Sequence, residues 1–135
     1  MRVIFCRSSK IGSWLIRALT FSKWSHVALV IGPNAVIEAT WPNVRLSTIT
    51  ELISTHTVCE MRELPITADQ AQWVHSQIGK PYDLGALFAV LMPYRAWTTD
   101  DKWFCSELIA SATGLFIETC RVSPQMLYLL SRPAP

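Results

Sequence analysis

Cys105 lies in the run Trp103-Phe104-Cys105-Ser106-Glu107-Leu108, which reads as the opening of a helix. In a first helical turn, unpaired backbone N–H groups and the helix dipole favour negative charge. A thiolate placed there has a lowered pKa and is a usable nucleophile at neutral pH. The same N–H groups can hold the oxyanion that forms when a carbonyl is attacked. Glu107 fits as an acid of that first turn. The other reading of Cys105 is a small buried hydrophobe, the more usual fate of a free cysteine.

A thiol nucleophile requires a base. His26 opens the apolar run 26–31, just after Lys23-Trp24-Ser25. Charging a histidine beside so much apolar sequence is costly without a partner. His56, next to a turn, and His75, on a helix with Gln72 and Gln77, are weaker candidates. The base in turn needs an acceptor that fixes its tautomer. Glu38 is the one acid in Val36-Ile37-Glu38-Ala39, and a carboxylate in such a strand is unusual unless paired. A His26–Glu38 pair accounts for both oddities. Asp83, Asp100 and Asp101 are alternatives; Asp83 reads more simply as a helix cap and the Asp100-Asp101 pair as a solvated loop. Trp24, Trp41, Trp97, Trp103 and Tyr82 fall around these segments, as substrate-binding walls or as core. The Tyr82 hydroxyl is placed to aid an oxyanion.

The elements that must position these groups are legible in outline. Strands are expected at 3–6, 26–31, 35–40, 44–46 and 57–64. Helices are expected at 10–20, 47–54, 67–79, 83–91 and 104–113, with a last one opened by Ser123-Pro124. Ile11, Trp14, Leu15, Ala18 and Leu19 recur at helical spacing, marking 10–20 as amphipathic. Thr67 and Gln70 form a capping-box pattern. Strands and helices are segregated rather than alternating, which predicts an α+β fold with a small antiparallel sheet. Gly32-Pro33-Asn34 predicts a hairpin between the second and third strands. For His26 and Glu38 to share a face, Ala28 or Val30 must stand opposite Glu38; Leu29 there would turn His26 away. The connection is therefore odd-numbered or bulged, with Asn34 suited to a left-handed bulge position.

The chain has 135 residues, which fits a single domain, 1–135. Half the residues are apolar and 16% are charged, which excludes general disorder. A net charge of +2 is too small to argue for nucleic acid. Arg2, Arg7, Lys10, Arg17 and Lys23 all precede Glu38, the first acid, so this segment faces either solvent or an anionic partner. The longest uncharged apolar run, 84–92, is too short to span a bilayer, and no secretory signal is visible. Cys6, Cys59, Cys105 and Cys120 lack CxxC spacing, so neither a metal nor a cofactor is expected, and all four read as reduced thiols in a cytoplasmic setting.

The ordered set Ser25-His26-Val27-Ala28-Leu29-Val30, Val36-Ile37-Glu38-Ala39, Lys80-Pro81-Tyr82-Asp83 and Phe104-Cys105-Ser106-Glu107-Leu108 resembles the circularly permuted papain-like branch of the NlpC-type hydrolase superfamily. It is most similar to the YiiX-like proteins and more distantly to lecithin:retinol acyltransferase-like enzymes. The resemblance implies a papain-like fold in which the histidine strand precedes the cysteine helix. It implies Cys105 as nucleophile, His26 as base and Glu38 as orienting residue. The implied reaction is cleavage of an amide in a peptide or cell-wall peptide through an acyl-thioester. The alternatives are a lipid acyltransferase or thioesterase using the same triad, and a silent binding or phage structural module.

Overall fold

A computed structural model describes residues 1–85, 102–116 and 122–135. Most of the expected helix 83–91 lies outside the described residues, as do Trp97, Asp100, Asp101 and Cys120. The described elements run β1 (Arg2–Arg7), α1 (Ile11–Thr20), β2 (His26–Gly32), β3 (Ala35–Ala39), β4 (Val44–Ser47), α2 (Ile49–Thr55), β5 (Val58–Glu63), α3 (Ala68–Ser76), α4 (Cys105–Thr113), α5 (Pro124–Leu130) and β6 (Arg132–Pro133). The strands form one antiparallel sheet in the order β4-β3-β2-β1-β5-β6, so the fold is the expected α+β. The two-residue edge strand β6 was not expected.

Side-chain alternation splits the core in two. Odd positions Val3, Phe5, Val27, Leu29 and Ile37 face α4 and α5, where Leu108, Ile109 and Leu127 are fully buried. Even positions Ile4, Cys6, Ala28, Val30 and Val36 face α2 through Leu52. Each wholly buried aliphatic side chain contributes about 1.5–3 kcal/mol relative to exposure. The helix ends follow local sequence. Thr67 and Gln70 form the capping box of α3, and Thr48 caps α2 through Glu51 N. Ser123 accepts from Met126 N with Pro124 beside it. Gly114 closes α4 at φ 64°, a left-handed conformation that costs glycine least.

Two expectations are corrected, while the helix expected at 10–20 is present as α1, with Ser13 its buried residue, Ile11, Trp14 and Ala18 of the apolar stripe exposed, and Leu15 and Leu19 half-buried. Hydrogen bonds hold Ser13 inward, since Ser13 Oγ accepts from Ser8 N at 3.0 Å and donates to Ser25 Oγ at 2.6 Å. Cys6 and Cys59 are not reduced thiols but a disulfide between β1 and β5. They stand opposite each other in register, a juxtaposition that their separation of 53 residues conceals. Asn34 is not left-handed; its side-chain oxygen accepts from Thr50 N and Thr50 Oγ1, each at 3.2 Å.

Candidate active site

His26 is the first residue of β2, and Glu38 is the fourth of β3. Ala28 pairs with Glu38, which gives His26 and Glu38 the same face. The pairing shifts between Val30 and Gly32, so the expected bulge falls at Ile31, ahead of the Pro33-Asn34 turn. His26 Nε2 lies 2.7 Å from Glu38 Oε2, and both residues are buried. Arg45 stands opposite Glu38 on β4 and donates from Nε to Oε1 at 3.0 Å. It also reaches Glu51 Oε1 at 3.3 Å. Each Glu38 oxygen thus has a cationic or proton-donating partner.

Burial works to raise the Glu38 pKa, but hydrogen bonds and charge from His26 and Arg45 outweigh it and hold the carboxyl at about 2. Burial likewise opposes charge on His26. Hydrogen bonds to Cys105 and Glu38, with the attraction of both, nevertheless raise the imidazole to about 10. At neutral pH the pair is therefore imidazolium and carboxylate. A carboxylate only accepts, so Nε2 carries a proton. With Nε2 engaged, Nδ1 is the remaining ring nitrogen.

Cys105 is the first residue of α4, which packs on β2. Its Sγ lies 3.8 Å from the carbonyl oxygen of Ser25, the residue before His26, and it is buried. The Ser106 hydroxyl donates to Val122 O and ties the first turn of α4 to the segment leading into α5. Phe104 is the N-cap and supplies no side-chain bond. The first-turn N–H groups of α4 lie beyond reach of the helix's own carbonyls.

A family model described as a permuted papain-like amidase enzyme, YaeF/YiiX, C92 family, matches residues 2–123. The chain belongs to the permuted papain-like amidase family. In this member the histidine strand precedes the cysteine helix. The crystal structure of the metalloprotein YiiX from Escherichia coli O157:H7 shares the fold, with TM-score 0.60 and 23% identity. The likeness covers 82% of this chain, and the chain spans 62% of YiiX. No curated protein matches the chain. Among the described residues, no three His, Cys, Asp or Glu side chains gather into a metal-holding group.

The remaining site candidates of this family member separate clearly. Tyr82 bridges to Trp103 and packs against Phe104, the residue before Cys105. Burial first, then the charges of Cys105, Asp83 and Glu107, push its phenol upward, so it keeps its proton as a donor. Trp103 turns its indole N–H to Gln77 Oε1 at 3.1 Å and its ring edge-on to Trp73. Trp24 is fully buried between Phe5 and Tyr128 and has no surface to offer a substrate. Trp41 is exposed.

Two neighbours give little sign of themselves in the sequence. Arg45 could have been found only from the β3–β4 register. His56 stacks on His26, with ring centroids 5.4 Å apart and planes at 12°. Its Nδ1 donates to Leu52 O at 2.8 Å. Burial first, and then the charge of His26, lower its pKa despite the Leu52 bond. A cavity of about 260 Å³ opens on this side, its wall including Lys10, Glu38, Arg45 and His56.

Proposed function

We propose that this chain is a cysteine hydrolase that cleaves an amide bond, in a peptide or cell-wall peptide, through an acyl-thioester. The observation that carries the reading is the buried 2.7 Å bond from His26 Nε2 to Glu38 Oε2, with Cys105 close enough to the same ring to help raise its pKa. That is the order nucleophile, base, orienting acid that thiol acyl transfer requires.

In the proposed cycle Cys105 enters as the thiolate, its proton already held on His26 Nδ1. The Sγ lone pair attacks the carbonyl carbon and the C=O π pair moves to oxygen. First-turn N–H groups of α4 and the Tyr82 hydroxyl stabilise the oxyanion. As it collapses, the C–N bond breaks and His26 gives its proton to the departing amine. His26 then takes a proton from water, hydroxide attacks the thioester, and the C–S bond breaks to release the acid. The leaving sulfur is again paired with imidazolium. Glu38 stays ionised throughout and holds the ring.

The Cys6–Cys59 disulfide favours an oxidising compartment over the cytoplasmic setting expected from scattered thiols. The reading is tested by treating the protein with acyl- and peptidyl-electrophile probes, followed by mass spectrometry. A covalent adduct on Cys105, lost in His26→Ala, is the expected result. A folded protein whose Cys105 takes no probe would overturn the reading and leave a binding module.

A further inference from the structure

α1 is held to the body by the face carrying Ser13, Ile16 and Thr20. Ser13 is buried and Ile16 packs against the core. Ile11, Trp14, Ala18 and Phe21 recur at spacings of three and four along the opposite side, in one stripe. Ile11 is 86% exposed, Trp14 60% and Phe21 94%. A soluble helix ordinarily turns such a stripe inward.

Phe21 is unusual a second time. It caps α1 at φ 50° and ψ 41°, the left-handed region. A bulky residue pays about 1 kcal/mol or more for that conformation, whereas glycine closes a helix there without strain. Backbone strain and an almost wholly exposed aromatic ring thus meet at one residue.

The charge around the stripe has a single sign. Lys10 and Arg17, seven positions apart, lie on one shoulder of α1, and Lys23 follows Phe21. No acid precedes Glu38, and the first turn of α1 holds none. Among the described residues Arg17 Nε is buried without a hydrogen-bond partner, and the Lys23 ammonium rests 5.0 Å over the Trp24 ring rather than on a carboxylate.

We propose that α1 and Phe21 form a peripheral docking face for an anionic lipid bilayer. Ile11, Trp14 and Phe21 enter the headgroup region, while Lys10, Arg17 and Lys23 meet lipid phosphates. Exposed Trp and Phe beside lysine and arginine are the combination an interfacial helix uses. The face is also coupled to the candidate site. Ser13 donates to Ser25, whose carbonyl oxygen lies 3.8 Å from Cys105 Sγ. Docking would therefore set the orientation of the cysteine relative to the membrane. The inference does not depend on catalysis.

The test is co-sedimentation of the whole chain with vesicles of phosphatidylcholine alone and of phosphatidylcholine mixed with phosphatidylglycerol, at low and high salt. Binding to the anionic vesicles, weakened by salt, is expected. Lys10→Gln and Lys23→Gln should each weaken it about fivefold. Phe21→Gly with Trp14→Ser should weaken it about tenfold or more. Phe21→Gly removes the ring while relieving the left-handed strain, so its thermal midpoint should hold or rise, and lost binding cannot be ascribed to unfolding. Absence of binding to anionic vesicles, or binding unchanged by Phe21→Gly with Trp14→Ser, would overturn the proposal. So would a lipid-free dimer in sedimentation equilibrium that Phe21→Gly dissociates, because a second copy would then cover the stripe.

Discussion

Ala28 stands directly opposite Glu38 in the β2–β3 hairpin, and that pairing puts His26 and Glu38 on one face. A slip of one residue would send His26 to the other side of the sheet. The bulge at Ile31 holds the register, so it also holds the 2.7 Å contact between imidazole and carboxylate.

Reactivity follows from the charged ring. At about pH 6 an ordinary thiol of pKa ~8.5 is almost wholly protonated. Iodoacetamide should nevertheless modify Cys105 at that pH, with His26→Ala slowing the reaction about a hundredfold. Mass spectrometry of the labelled peptide reads both rates. Equal rates in the two proteins would remove His26 from the mechanism.

Substitutions should rank by the role of the atom removed. Cys105→Ala abolishes acyl-enzyme formation, and His26→Ala comes close to it. Glu38→Gln retains more turnover, since an amide oxygen still orients Nε2 while the charge is lost; a fall of up to about 10⁴-fold in kcat is expected. Steady-state kinetics on an amide substrate would show the order.

Stability should depend on pH in two directions. Glu38 is held at about 2, below its ordinary value, so its contribution is full above about pH 4.5 and fades as pH falls towards 2. His26 is raised to about 10, so its contribution is full below about pH 6.5 and fades as pH climbs through 10. The thermal midpoint of the native chain should therefore exceed that of Glu38→Gln most between those limits. A constant difference from pH 2 to 10 would contradict the charged pair.

Arg45 tunes the acid. Replacing it with methionine leaves Glu38 Oε1 without its guanidinium and should raise the acid limb of the pH–rate profile by about one unit. An unmoved limb would show that His26 alone sets the ionisation of Glu38.

His56 should act through the face of the His26 ring. His56→Phe keeps a flat stacking partner and removes a titrating one, whereas His56→Ala removes both. Near-native kcat in the first variant and a clear loss in the second would identify stacking as its contribution. Equal losses would point to the His56–Leu52 hydrogen bond instead.

Much of this was written locally. Glu38 among Val36, Ile37 and Ala39 announced a paired carboxylate, because no other arrangement suits an acid in an apolar strand. Thr67 with Gln70, Ser123 with Pro124, and Gly114 marked helix ends through bonds that span a few residues. What stayed hidden depends on which strands become neighbours. The order β4-β3-β2-β1-β5-β6 puts Cys6 beside both His26 and Cys59, and no periodicity encodes that. The outward stripe of α1 was equally hidden. Amphipathicity tells which residues share a side; the Ser13–Ser25 bond decides which side faces in.

The disulfide between Cys6 and Cys59 closes a covalent ring that contains α1, β2, β3, β4 and α2. His26, Glu38, Arg45 and His56 all lie inside it, and Cys105 lies outside. Closing a loop of 53 residues lowers the entropy of the unfolded chain by an amount equivalent to about 4 kcal/mol. The tether thus keeps the nitrogen and oxygen partners near one another even in an unfolded chain, while the sulfur must find them afresh each time the protein folds.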